Sequence, residues 1–343
     1  MKTADPKTIS LSALGWTDAL DAQRTQDEQD AIPMRISGVH RARLTALSQS
    51  GNTRLRIPPK TTTSDFAVGD WVLVNPTDRA VLRRLERHSL LQRKTAGTDI
   101  RQLIAANVDT LFIVTSCNDD FNPARLERYL ALANGAETTP LIVLTKADQT
   151  PDAASYQSRA MALQRDLEAV FVNAKDTSTA AALAPWCGRG QTVALVGSSG
   201  VGKSTLLNTL AGKSGEDAQL TGGIREDDAK GRHTTTSRSL HETPAGGWVI
   251  DTPGMRTLHL GDVATGLDVL FAEVAELAPD CRFRDCTHQH EPGCAVQAAV
   301  TAGTLDPARL ERWRKLDTEN RENTPVATGA RGNKKHSGTK KRR

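Results

Sequence analysis

Two hydrophobic patterns divide this chain. Between residues 34 and 102, segments 35–47, 53–57 and 68–74 alternate or cluster apolar residues between glycines and prolines, which predicts a small antiparallel barrel. Farther along, the runs at 141–144, 191–196 and 248–250 are almost wholly apolar and partly β-branched. Such runs are typical of buried strands. The chain is therefore expected to combine a barrel with a separate α/β domain.

A phosphate-binding loop follows the second of these buried strands. Residues 197–204 read Gly-Ser-Ser-Gly-Val-Gly-Lys-Ser, and a helix is predicted over 203–211. Glycines let the backbone N–H groups wrap phosphates, while Lys203 reaches the β/γ-phosphates and the Ser204 hydroxyl binds Mg²⁺. A chance Gly-Ser turn would lack the flanking strand and helix. The predicted contacts are Gly197, Ser198, Ser199, Gly200, Val201, Gly202, Lys203, Ser204 and Thr205.

A second phosphate-side motif is Asp251-Thr-Pro-Gly254, which follows the strand beginning at Trp248. Asp251 is expected at the magnesium ion and the Gly254 N–H at the γ-phosphate. A plain β-turn is the alternative, which the upstream phosphate loop disfavours.

The base is expected to be read by Thr145-Lys146-Ala147-Asp148. In GTPase-like P-loop proteins the aspartate accepts the N1 and N2 hydrogens of guanine, which adenine does not offer, and the lysine stem covers the ring. The usual first residue is asparagine, so Thr145 departs from the pattern. Asn173, Ala174 and Lys175 resemble the accessory loop that backs the guanine.

The order of these motifs is the reverse of that in an ordinary GTPase. There the phosphate loop comes first and the guanine-reading motif comes late, whereas here 145–148 precedes 197–204. This order predicts a circularly permuted domain, which keeps its fold because domain termini lie close together at the surface.

The Gly- and Thr-rich stretch 222–236 predicts a mobile switch segment. One of Thr234 and Thr235 is expected to complete the Mg²⁺ shell when a γ-phosphate is present. Position 255 is Met, which cannot orient water as the glutamine of many GTPases does. His233 is the candidate catalytic substitute, with an ordinary exposed loop histidine as the alternative.

Three of the five cysteines fall with a histidine inside fourteen residues. This spacing suits a closed, structural Zn²⁺ site, with His290 as the alternative histidine ligand and disulfides disfavoured because nothing else suggests secretion. Cys117 and Cys187 are expected to be free thiols. The predicted ligands are Cys281, Cys286, His288 and Cys294.

Charge is spread unevenly along the 343 residues. The net charge is +4, yet residues 331–343 alone carry seven Lys and Arg and no acid. A flexible cationic arm that binds RNA is the favoured interpretation, and a solvated tail is the other. Arg83, Arg84, Arg87, Arg93, Lys94 and Arg101 form a basic stretch, either a phosphate-facing surface or a linker. Phe66 and Trp71 could stack on bases, although core packing suits Trp71 better.

No apolar run approaches the length of a membrane span, and the first residues are polar rather than signal-like. We expect a cytoplasmic monomer with no membrane contact. The predicted parts are a disordered extension (1–33) with a short docking element near 11–20, an OB-type RNA-binding barrel (34–102), a permuted P-loop GTPase domain (103–266), a mainly helical zinc-binding domain (267–320) and a basic disordered tail (321–343).

Together these residues resemble the family of bacterial ribosome small subunit-dependent GTPase A (RsgA). The resemblance runs from about residue 35 to 313 and includes Val68-Gly-Asp-Trp71, residues 104–116 and 125–130, and Glu291-Pro-Gly-Cys294. It implies GTP hydrolysis stimulated by the small ribosomal subunit, with rRNA as the main binding surface. It also implies that the factor acts late in subunit maturation.

A mechanism follows from this organisation as a hypothesis. GTP and Mg²⁺ would order both switches and hold the barrel and the zinc domain in an arrangement that binds the subunit. Hydrolysis would loosen both switches, so that the zinc domain reorients and the factor leaves the subunit. Two alternatives stay open, an RNA-binding scaffold with a purely structural nucleotide site and a P-loop ATPase.

Overall fold

The computed structural model describes residues 8–94, 101–176, 178–213, 239–252 and 263–324. Within them lie a barrel, a six-stranded sheet flanked by helices and a C-terminal group of helices. No helix in these ranges is both long enough and apolar enough to cross a membrane.

Five strands form the barrel in the order β3-β2-β1-β4-β5, with neighbours in this order antiparallel and a parallel bridge at the closure. Its ends meet where Arg56, just after β3, bridges Ala80 before β5, with Arg56 N donating to Arg79 O at 2.9 Å. This is the connectivity of the predicted OB-type barrel. The strands are β1 (Ile32–His40), β2 (Arg43–Ser48), β3 (Gly51–Leu55), β4 (Trp71–Val74) and β5 (Val81–Arg84).

Phe66 and Trp71 are both core residues. Trp71 is 1% exposed and Phe66 is 5% exposed, so neither presents a ring face on which a base could stack. Phe66 packs in the barrel interior with Met34, Ile36 and Val72. Trp71 precedes Val72 on β4, so it faces the opposite side and joins the core that the barrel shares with the rest of the molecule. The core role of Trp71 is confirmed, and base stacking by either ring is excluded.

The segment before the barrel is ordered over residues 8–31, in contrast to the predicted disordered extension. It forms the short helix α1 (Asp18–Asp21) and buries Leu14 and Leu20. Trp16 packs edge-on against Trp71 with ring centroids 4.9 Å apart. Sequence-based reasoning underrated this segment because its few apolar residues find their partners only in distant parts of the chain.

A two-stranded hairpin leads out of the barrel, formed by β6 (Leu90–Lys94) and β7 (Arg101–Ala106). Two arginines of the predicted basic stretch lie before this hairpin and have internal partners. Arg83 pairs with Glu28 at 2.5 Å, and Arg87 pairs with buried Asp70 at 2.6 Å. These two arginines therefore serve the fold rather than a phosphate-facing surface. The predicted boundary at 102 falls inside β7.

The central sheet has the order β10-β9-β8-β11-β13-β12, parallel except for β12. Counted from β11, which carries the phosphate loop, the order is 6-5-4-1-3-2, and this shows the permutation directly. The elements are β8 (Thr110–Ser116), α2 (Pro123–Gly135), β9 (Thr139–Thr145), α3 (Ala153–Met161), β10 (Glu168–Phe171), α4 (Ser178–Leu183), β11 (Thr192–Gly197), α5 (Lys203–Leu210), β12 (Leu240–Glu242) and β13 (Trp248–Ile250).

Four helices complete the C-terminal part: α6 (Ala264–Leu270), α7 (Ala272–Leu277), α8 (Ala295–Thr301) and α9 (Pro307–Asn323). Helix α6 crosses α2 very closely at Gly266, where an added Cβ would lie 2.2 Å from Ala131 O. Glycine is therefore required for this helix contact. The predicted domain boundary at 266 falls inside α6, which packs on the GTPase domain.

Candidate nucleotide and metal sites

The predicted phosphate loop lies between the end of β11 and the start of α5, as the motif requires. Gly197 has φ 143°, and a Cβ there would lie 2.2 Å from Val114 O. Gly200 and Gly202 have φ of 80° and 97°, which side chains rarely adopt. Lys203 Nζ donates to Ser198 O within the loop, and Ser204 is exposed in the first turn of α5.

The predicted guanine loop begins at the end of β9, beside the phosphate loop. Thr145 is 1% exposed, and its hydroxyl lies 2.7 Å from Val201 O and 3.2 Å from Thr115 O. Lys146 adopts a left-handed conformation (φ 57°), and Asp148 follows in an exposed 3₁₀ turn. The loop is thus anchored through Thr145 and exposes the carboxylate predicted to read the base.

The accessory loop at 173–175 is fixed by threonine hydroxyls. Thr209 on α5 donates to Ala174 O at 2.7 Å, and Thr179 donates to Asn173 O at 2.6 Å. Lys175 N donates to Asn173 Oδ1 at 3.1 Å. Neither Thr209 nor Thr179 was found from the sequence, because single threonines at unremarkable positions carry no motif.

Asp251 follows β13, which runs parallel to β11, so it lies at the same sheet edge as the phosphate loop. Its N–H donates to Ser239 O at 3.2 Å, and Thr252 Oγ1 donates to Leu195 O. His233, Thr234, Thr235, Gly254 and Met255 lie outside the described residues, as does most of the predicted switch.

Cys281, Cys286, His288 and Cys294 form one cluster, with all four ligand atoms within 4.8 Å of one another. Cys281 Sγ lies 3.5 Å from His288 Nδ1 and 3.8 Å from Cys294 Sγ. Three thiolates and one imidazole at this spacing fit a tetrahedral metal ion. His290 is exposed and is absent from the cluster, so the geometry favours His288 of the two histidines predicted as ligands.

The protein holds His288 in place from several sides. Its ring packs against Trp313 with centroids 5.3 Å apart, and its carbonyl accepts from Gln297 Nε2 at 2.6 Å. Burial lowers the pKa of His288, which favours the neutral imidazole that binds metals. Glu291 accepts from the N–H groups of Thr287 and Gln289 and shapes the same loop.

Several known proteins match this chain in sequence or in fold. A model of the RsgA GTPase family matches residues 84–261, just over half of the chain. A curated protein of Mesorhizobium japonicum, named small ribosomal subunit biogenesis GTPase RsgA, is 63% identical over 97% of this chain and 96% of its own length. The chain belongs to the RsgA GTPase family. It is accordingly a GTP hydrolase.

Other RsgA relatives agree. A Vibrio vulnificus protein named small ribosomal subunit biogenesis GTPase RsgA 2 is 49% identical over 98% of this chain and 95% of its own length. The crystal structure of YjeQ from Thermotoga maritima has a TM-score of 0.61 at 24% identity, covering 84% of this chain and 98% of that chain. YloQ, described as a circularly permuted GTPase, has a TM-score of 0.60 at 23% identity, covering 88% and 99%. These two structures support the permuted fold.

Proposed function

We propose that this GTPase acts in late maturation of the small ribosomal subunit. It binds subunit rRNA in its GTP state, hydrolyses GTP to GDP and phosphate when the subunit stimulates it, and then dissociates. The names of the Mesorhizobium and Vibrio relatives, both small ribosomal subunit biogenesis GTPases, support this assignment.

One contact carries the proposed link between RNA and nucleotide. Gly38 on barrel strand β1 forms an antiparallel bridge with Ser239, and Ser239 O accepts the N–H of Asp251. Asp251 is the residue predicted to lie at the magnesium ion, so a single bridging residue, Ser239, connects the barrel to it. If GTP raises the affinity of the barrel for RNA through this contact, RNA raises the affinity of the site for GTP by the same factor. RNA on the barrel and GTP in the site can therefore favour each other.

The nucleotide-site residues suit Mg²⁺ and GTP. Ser204, Asp251 and one of Thr234 and Thr235 offer the hydroxyl and carboxylate oxygens that a hard cation prefers. Bound Mg²⁺ would neutralise charge on the β- and γ-phosphates. Lys203 binds the phosphates, and the Gly254 N–H meets the γ-phosphate.

Met255 offers no group to orient water, so intrinsic hydrolysis is slow. His233 is the side chain proposed to orient the attacking water, and contacts with the subunit complete the site.

The cysteine-histidine cluster is proposed to hold one structural Zn²⁺. Four protein ligands leave no open coordination position for catalysis. The ion would tie the turn after α7 to the start of α8, so its contribution is to folding. We further propose a cytoplasmic monomer whose basic tail binds rRNA phosphates; the tail was predicted to span residues 321–343, but helix α9 continues to Asn323, so it begins after that residue.

The test is phosphate release from GTP, and separately from ATP, with the protein alone and with small ribosomal subunits. We expect a slow, GTP-only rate that subunits raise many-fold, and one zinc per chain in the same preparation.

Two outcomes would favour the alternatives. Tight RNA binding with no stimulated turnover would indicate an RNA-binding scaffold, and equal turnover of ATP would indicate an ATPase. Equal affinity of the GTP- and GDP-bound forms for the subunit would contradict the proposed release step, because a ligand shifts an equilibrium only through differential binding.

A further inference from the structure

Threonine hydroxyls join the three loops that surround the predicted nucleotide site. Thr145 connects the guanine loop to the phosphate loop through Val201 O at 2.7 Å. Thr209, on the helix that follows the phosphate loop, connects to the accessory loop through Ala174 O at 2.7 Å. The loops also touch at Gly202, where a Cβ would lie 3.7 Å from Ala174 Cβ and 3.9 Å from Thr145 Cγ2.

The position of Thr145 decides what its hydroxyl can do. A hydroxyl has one proton to donate, and guanine presents N7 and O6 as acceptors. The Thr145 hydroxyl can donate only to backbone carbonyls here, because Val201 O lies at 2.7 Å and Thr115 O at 3.2 Å. The side chain is also 1% exposed, so little of it can reach a ligand.

We propose that Thr145 is a positioning residue that fastens the guanine loop to the phosphate loop, and that this protein reads guanine without a side-chain contact from position 145. Base selection then rests on the exposed carboxylate of Asp148 and on the loop backbones. The substitution of threonine for the usual asparagine leaves the loops joined while removing an amide that could face the base.

This inference rests on the nucleotide site of the proposed function, but it requires neither RNA nor ribosomal subunits. The probes are GDP and 7-deaza-GDP, which lacks the N7 acceptor, and both dissociation constants are measured by competition with a fluorescent guanine nucleotide. We expect the full-length wild-type protein to bind the two within about two-fold, because position 145 offers N7 no side-chain donor.

The T145V substitution keeps the shape of the side chain and removes the donor. It should weaken GDP and 7-deaza-GDP equally, by roughly 5- to 30-fold, since a buried carbonyl loses its hydrogen bond and the two loops lose their connection. T145S retains the hydroxyl and should bind both within about three-fold of wild type.

T138V is the matched control. Thr138 is also buried, and its hydroxyl donates to a carbonyl, Ala133 O at 3.1 Å; it directly precedes strand β9, whose far end is Thr145. T138V should lower the unfolding temperature without changing either dissociation constant. This separates a positioning role from a general loss of stability.

Two results would overturn the inference. One is a wild-type preference of ten-fold or more for GDP over 7-deaza-GDP that disappears in T145V, which would make Thr145 a base contact. The other is a folded T145V whose dissociation constant for GDP changes no more than that of T138V. If T145V does not fold, the wild-type comparison of the two nucleotides and the T145S values decide the question. Absence of subunit stimulation would count against the proposed function alone.

Discussion

The barrel and the C-terminal helices attach to the same GTPase domain through junctions of opposite chemistry. At the barrel junction Arg35, 1% exposed, donates to Leu14 O and Thr192 Oγ1, each at 2.6 Å, and to Asn107 O at 3.2 Å. Among the described residues it forms no salt bridge. At the C-terminal junction, Glu127 of α2 is fully buried and paired with two cations.

Those cations come from one helix turn of α9. Arg309 and Arg312 both bind Glu127 Oε1 at 2.8 Å, and Arg309 also pairs with Glu273 at 2.6 Å and lies over the Phe271 ring. Glu127 Oε2 has no hydrogen-bond partner among the described residues. The negative charge is therefore balanced almost entirely by the C-terminal part of the chain.

The chemistry of each junction determines how easily it can move. Shifting the C-terminal helices as a body would separate Glu127 from both arginines and leave buried charges uncompensated, which is costly. The barrel is attached next to the nucleotide site by hydrogen bonds from Arg35 to uncharged acceptors and by one β-bridge, with no buried ion pair at this junction among the described residues. We therefore expect the barrel contact to respond to nucleotide and α9 to stay on α2, which argues against the zinc domain reorienting as a whole.

Breaking the ionic junction should have the largest effect. E127Q keeps the side-chain volume but leaves Arg312 without its anion and Arg309 with Glu273 alone, so we expect a loss of about 3–4 kcal/mol in the free energy of unfolding. Chemical denaturation of wild type and variant measures it.

The matched control is E276Q, which removes the exposed pair between Arg165 and Glu276. Exposed pairs contribute little, about 0–1 kcal/mol. Equal losses in E127Q and E276Q would show that burial of Glu127 does not set the strength of this junction.

Removing the cation of the barrel junction should cost less. R35M leaves the carbonyls of Leu14 and Asn107 without a donor, at about 1–3 kcal/mol. Burial lowers the pKa of Arg35 to about 10, which shows that burying this charge is unfavourable. R35M removes that unfavourable contribution and so offsets part of the loss. Limited proteolysis should cut residues 8–31 faster in R35M than in E127Q. A loss of stability larger than that of E127Q would reverse the proposed ranking of the two junctions.

The smallest effect should come from pH. Burial, and then the charge of Lys213, lower the pKa of His241 to about 4. Because the folded pKa lies below the ordinary value of 6.5, the unfolded chain takes up a proton first, and stability should fall as pH drops from about 6.5 to 4. We expect about 1 kcal/mol, since the side chain is partly exposed.

His241 contacts Ser239 Oγ at 2.8 Å, and Ser239 is bridged to the barrel. We therefore assign this loss of stability at low pH to the barrel junction. H241Q should remove that part of the pH dependence in denaturation curves. An unchanged slope would assign the dependence to other groups.

Sequence-based reasoning succeeded where function imposes local spacing. The phosphate loop needs glycines between a strand and a helix, and the metal cluster needs four ligands on a short loop, so both could be predicted from adjacent residues. The junctions could not. Arg35 and Thr192 are 157 positions apart, and Glu127 and Arg309 are 182 apart, so their pairing depends on how the whole chain packs.

The same limit applies to the basic stretch and the first residues. Arg83 looked like a surface cation because its partner Glu28 lies 55 residues earlier, in a segment with few apolar residues. When that segment packs against the barrel, it becomes ordered and places Glu28 beside Arg83. Local composition predicted neither result.

The bridge between Gly38 and Ser239 also bears on solubility. Strand β12 is the outermost strand of the central sheet, and an uncovered outer strand offers unpaired backbone groups to other chains. The start of β12 is instead shielded by β1 of the barrel. A GTPase domain produced alone, from residue 103 onward, would lose this shield and should self-associate, so the barrel also keeps its neighbour from aggregating.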